Sequence, residues 1–228
     1  MKKIIILVIT FLFIIPVSAV DYQYQYFNNE KNEERYLPFS DYIPRVRKYN
    51  MTHPQQVEDF YLLYGMPLYY NENDLRENIR LLKIALTVNF RHPTKALCRI
   101  TTEQEYYKYR NLMFMRINVL IMRDYMRIAS QYDKRDVYFY DVHYEEDLIK
   151  SFAIAEENYR AAIPYWEQAL KYAKTASTVK LTTDLGSIES ERYSFVTGEI
   201  DYRKIINGHL SRLEKKKSKL ASFRKPAN

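Results

Sequence analysis

The chain has 228 residues, 47% of them hydrophobic and 15% aromatic, with a formal net charge of +7. Tyr is abundant at 23 copies, Gly is scarce at 4, and Cys98 is the single cysteine. One cysteine excludes an internal disulfide framework, so the fold must rest on its hydrophobic core.

Met1-Lys2-Lys3 is a short basic start, followed by the apolar run "IIILVITFLFII", then Pro16 and the small-residue stretch Val17-Ser18-Ala19. This is the layout of a secretory signal peptide over residues 1–19. The apolar run is shorter than the ~20 residues of a spanning helix. No cysteine stands near the cleavage site to carry a lipid anchor. The expected product is exported, periplasmic or secreted, begins near Val20, and keeps +5 of the +7 once Lys2 and Lys3 leave. The later run "LMFMRINVLIM" is interrupted by Arg116 and Asn118 and offers no second span.

Residues 20–50 mix Tyr, Asn and charges with Pro38 and Pro44. Tyr22, Tyr24 and Tyr26 alternate with polar residues, the period of a strand, but no turn or matching strand follows. The expectation is an extended Tyr-rich arm. Helical patterning begins near Thr52, a candidate N-cap with Pro54 just inside the start. Phe60, Leu63 and Tyr64 share a face, and Gly65 and Pro67 end that helix. Leu75, Ile79, Leu82 and Leu86 form the stripe of a second helix. After Pro93, Thr101 or Thr102 offers a cap for the longest helix, Glu103 to about Gln131, whose apolar density predicts burial on more than one side. "YDKRDVYFYDVHY" reads as a connection containing a short extended piece. A helical block from Glu145 to Ala176 follows, and residues 51–178 form the expected helical core. Residues 179–199 read as a linker, and 200–228 as a C-terminal helix with a basic tail. The last helix carries Ile205, Ile206, Leu210, Leu213 and Leu220 on one stripe. Strand and hairpin-turn signals are nearly absent, so the predicted class is all-α, an irregular helical-hairpin array or bundle.

Pro164 sits within "ENYRAAIPYWEQALKYA". A helix starting at Ala161 or Ala162 would place it in the first turn, while one starting at Asn158 would be kinked. Ala162, Trp166 and Ala169 are similar to the second helix of a tetratricopeptide repeat, where small residues let two helices approach and an aromatic fills the space beside them. The resemblance implies that "YEEDLIKSFAIAEE", with Ile149 and Lys150, is the first helix of the hairpin. "NDLRENIRLLKIAL" is a second echo, with Asn78 where Ala162 stands in the first. Their separation is not a multiple of the repeat's ~34-residue period, so a regular array is not implied. The exported, Tyr- and Lys-rich helical character, together with the "AIPYWEQALKYA" helix, more loosely resembles the spirochaete proteins that build the periplasmic flagellar motor collar.

No catalytic motif emerges. His53, His92, His143 and His209 show no metal-ligand spacing. His143, Glu146 and Asp147 could share a helical face, but an acid-rich helix start has the same pattern. No nucleophile elbow or glycine-rich phosphate loop is present. Glu145-Glu146 and Glu156-Glu157 are the acid pairs available to a wall hydrolase, which needs two carboxylates ~5–10 Å apart across a cleft. Cys98, between Leu97 and Arg99, reads as a packed residue. Lys215, Lys216, Lys217, Lys219, Arg224 and Lys225 form a basic end suited to an anionic surface. The leading expectation is a non-catalytic exported scaffold that binds proteins of a cell-envelope assembly. It assigns no catalytic, cofactor or metal residues, no small-molecule substrate and no nucleic acid. The alternative is a cell-wall-binding or cell-wall-degrading factor using acidic residues in a helical groove.

Overall fold

A computed structural model describes residues 56–59, 71–133 and 145–223. The leader, the arm, the helix end at Gly65, the segment containing His143, and Arg224 and Lys225 lie outside the described residues. Five helices carry the described chain: α1 (Glu72–Ala85), α2 (Glu103–Tyr132), α3 (Glu145–Ser177), α4 (Gly186–Thr197) and α5 (Tyr202–Phe223). The fold is all-α. A short helical segment, Val57–Asp59, precedes them, and Gln56 forms an isolated parallel bridge with Asn89.

Local chemistry explains where the helices start and stop. Asn71 caps α1 by accepting from the Asn73 amide at 2.9 Å. Thr102 and Glu105 form a reciprocal capping box on α2, with bonds of 3.1 Å and 3.0 Å. Asp201 Oδ1 accepts from the amides of Arg203 and Lys204 at the start of α5. Gly198 ends α4 with φ 79°, a left-handed conformation that side chains resist.

Contacts along the helices show that successive partners run antiparallel. Glu72 meets Tyr132 and Asn78 meets Asp124 between α1 and α2. Tyr172 lies against Phe114, Tyr165 stacks on Tyr125, and Ser151 donates to the Tyr132 carbonyl between α3 and α2. Glu167 pairs with Arg203, and Glu156 with Lys217, between α3 and α5. Helix α4 packs on both α3 and α2. Helix α2 is therefore enclosed by α1, α3 and α4, and every residue from Met115 to Asp124 is buried.

The stripe on α3 is regular. Phe152, Ala155, Tyr159, Ala162, Trp166, Ala169, Ala173 and Ala176 are buried at alternating steps of three and four. The alanines let α2 approach closely. Trp166 fills the gap between helices, meeting Phe195 of α4 edge-on at 4.9 Å and Tyr202 of α5 at 5.3 Å.

Three expectations change. Residues 145–177 form one continuous helix, so no turn divides the stretch into a hairpin near Asn158. Asn158 caps nothing; its amide donates to the Ile154 carbonyl one turn back, at 2.8 Å. Pro164 therefore lies in the helix interior. It is exposed, and so is Arg160, whose carbonyl loses its helical donor and can turn to water. Residues 186–197, read as linker, form α4. On α5, Tyr202, Ile206, His209, Leu213 and Leu220 are buried, while Ile205 and Leu210 are half-buried.

Candidate functional site

A concave feature among the described residues is a groove of about 560 Å³ between the turn after α1, the first half of α2 and the last third of α3. Tyr106, Tyr107, Arg110 and Phe114 line it from one face of α2, at the helical spacing i, i+1, i+4, i+8. Asn89 and Phe90 form the wall from the turn, and Tyr172 closes the far side from α3. Phe90 meets Phe114 edge-on at 5.1 Å and 88°, and Phe114 lies 5.3 Å from Tyr172.

The wall is held firmly on both sides of Phe90. The Val57 amide donates to the Asn89 carbonyl at 3.3 Å. Buried Glu58 accepts from the Arg91 amide and from the Tyr109 hydroxyl, each at 3.2 Å. The Tyr106 hydroxyl donates to the Arg91 carbonyl at 2.9 Å. Burial and the Glu58 carboxylate push the Tyr109 phenol well above its ordinary range, so it stays a donor. These bonds preorganise the aromatic wall before any ligand arrives.

Arg110 is exposed and sits over the Tyr106 ring, 4.9 Å from its centroid. It forms no ion pair among the described residues. Tyr107, at the rim, keeps 43% of its surface in solvent. Asn111, buried below, donates to the Tyr107 carbonyl at 2.8 Å.

Other perturbed titratable groups lie inside helix interfaces. Glu191 of α4, fully buried, accepts from Arg116 Nη1 at 2.8 Å and Arg123 Nη2 at 2.6 Å. Burial alone would raise its pKa, but the two guanidiniums hold it below the ordinary carboxylate range. Tyr202 accepts from Arg123 at 2.8 Å and extends the network to α5. Glu189 pairs with Lys108 at 2.8 Å and with Arg192 at 2.8 Å, pinning the loop at Thr183. His209 stacks on Tyr159 at 4.8 Å. Burial, with Arg212 and Lys216 beside it, pushes its pKa down to about 4. A neutral ring fits its contact with Arg212, because a guanidinium can only donate and Nδ1 must accept. Asp124, bonded to Asn78, is raised to about 7 by burial.

The candidates from sequence do not converge on the groove. His92 caps a short 3-10 turn, accepting from the Thr94 amide at 3.4 Å. Glu146 and Asp147 are exposed near Lys150. Glu156 pairs with Arg160 and Lys217, and Glu157 points to solvent. Cys98 is half-buried, with its thiol pKa raised by burial. Two lysines of the basic end, Lys216 and Lys217, are engaged with Asp133 and Glu156. Among the described residues, no group of three His, Cys, Asp or Glu could hold a metal, and no helix is long and apolar enough to cross a membrane.

The groove residues escaped the sequence reading. The "YYKYRNLMF" stretch carried the signal, an arginine among aromatics on one helix face, but Phe90 and Tyr172 join them only through folding.

A family model matches residues 104–223, more than half of the chain. The chain belongs to the family described as domain of unknown function DUF8513. The match takes in α2 through α5, and with them Tyr106, Arg110, Phe114 and Tyr172, while the Asn89–Phe90 wall precedes it. No curated protein and no solved structure matches the chain.

Proposed function

We propose that this protein is a non-catalytic interaction module that docks a partner protein in the aromatic groove at the α1–α2 turn. The observation carrying this reading is a preformed, solvent-open groove lined by rings and one cation, while buried Asp124, Glu189, Glu191 and His209 are locked into packed interfaces. Aromatic side chains with polar tips and an arginine are the residue types that anchor protein interfaces. A wall hydrolase would need two converging carboxylates at the groove, and its described lining holds none. The leader-like start suits an exported protein. A structural place in a cell-envelope assembly, such as a periplasmic flagellar motor collar, is the setting this composition favours.

The test is a photo-crosslinking residue at position 107, compared with one at exposed Lys174 on α3, in the source cells. A partner captured at 107 but not at 174 is then purified and titrated by calorimetry against wild type and Tyr107→Ala. Saturable binding weakened by Tyr107→Ala supports the reading. Equal capture at both positions, or binding indifferent to the groove substitution, refutes it.

A further inference from the structure

The chemistry of the groove narrows its partner. Of the α2 arginines, Arg116 and Arg123 are both paired with Glu191 inside the fold. Arg110 is different: it is exposed in the groove, and its described contact is the face of Tyr106. A contact between a guanidinium and a ring face uses none of the five N–H donors, which remain available to an oxygen-bearing anion. The adjoining surface is aromatic and angular. Phe90 stands at 88° to Phe114, and Phe114 is tilted 32° from Tyr172, forming a corner. A corner accepts the edge of an inserted ring, whereas a sugar ring stacks best on a flat, open aromatic face.

Resting on the proposed docking role, we infer that the groove recognises an extended acidic segment of a partner protein in which a carboxylate side chain neighbours an aromatic one. The carboxylate pairs with Arg110. The aromatic side chain enters the corner formed by Phe90, Phe114 and Tyr172. Charge complementarity selects the segment, since the groove offers a cation with no carboxylate of its own among the described residues.

The experiment measures fluorescence anisotropy of short dye-labelled peptides on the purified protein. One peptide alternates Asp and Tyr, a second replaces Asp by Asn, and a third replaces Tyr by Ser. The Asp-Tyr peptide should bind at least about tenfold more tightly than either control, and its binding should weaken with salt. Arg110→Gln should lower Asp-Tyr affinity about tenfold and leave the Asn-Tyr peptide unchanged, with Arg110→Lys between the two. Arg110 is exposed, so the variants should keep the wild-type circular dichroism and melting temperature, which separates lost binding from lost folding. Equal binding of the Asp and Asn peptides, or no effect of Arg110→Gln, overturns the inference. So does saturable binding of an N-acetylglucosamine oligomer that competes at this groove. A partner captured through position 107 whose affinity ignores Arg110→Gln overturns the acidic class alone and leaves the docking role standing. No capture and no peptide binding removes both.

Discussion

Replacing Asp124 with Asn should stabilise the protein above neutral pH and leave it little changed in acid. Asp124 is 6% exposed on α2 and accepts a hydrogen bond from Asn78 on α1. Burial raises its pKa to about 7, against the Asn78 bond and the charges of Arg127 and Arg123, which pull it down. In the unfolded chain the carboxyl returns to about 3.9. Below about pH 4 both states hold the proton, and the group contributes nothing to pH dependence. Between about pH 4 and 7 the unfolded chain ionises first, so stability falls as pH rises. Above about pH 7 both states are ionised and the loss is complete. A gap from about 4 to about 7 corresponds to roughly 4 kcal/mol at most. The Asn variant keeps an acceptor for Asn78 without a charge. Urea unfolding of both proteins from about pH 4 to about pH 8 reads the difference directly. The Asn variant should gain about 1–4 kcal/mol relative to wild type across that range. A difference that stays constant with pH, or that grows towards acid, would refute the assignment.

Glu191→Gln leaves Arg116 and Arg123 facing a neutral amide and should cost about 3–5 kcal/mol in the same assay, whereas replacing all three by apolar residues of similar volume should recover most of it. Because the Glu191 pKa is depressed, its contribution is present above the unfolded carboxylate's pKa near 4.3 and fades as pH falls further, so the penalty should shrink in strong acid. Trp166→Ala opens a cavity where α3, α4 and α5 meet and should cost about 3–5 kcal/mol; a loss under about 1 kcal/mol would mean the site collapses without it. Pro164→Ala restores the donor to the Arg160 carbonyl on an exposed helix face and should raise stability by about 1–3 kcal/mol by thermal melting. A lower melting temperature would show that Pro164 shapes α3 for its partners.

The chain's own periodicity was enough for the all-α class and for four of the helices. Leu75, Ile79 and Leu82 on α1, and the Ala162–Trp166–Ala169 run on α3, are apolar at helical spacing, and apolar burial is a local signal. Thr101 or Thr102 marked the start of α2 for the same reason, since a cap is made by neighbours. Helix α4 was hidden because charges hold part of its buried face: Glu189 and Glu191 lie beside Ile188 and Phe195, and their partners Lys108, Arg116 and Arg123 stand on a distant part of the chain. Tyr202 and His209 were passed over on α5 likewise, since a polar tip reads as exposed until its partner is known. Asn158 was one possible start for the helix holding Pro164, but its amide can equally bond the preceding turn, and only the continuous helix decides which. The groove follows the same division. Sequence alone places Tyr106, Tyr107, Arg110 and Phe114 on one face of a helix. Packing of α3, and the clamp of Glu58 on the turn at Phe90, turn that face into a concavity, because shape depends on contacts between segments far apart in the chain.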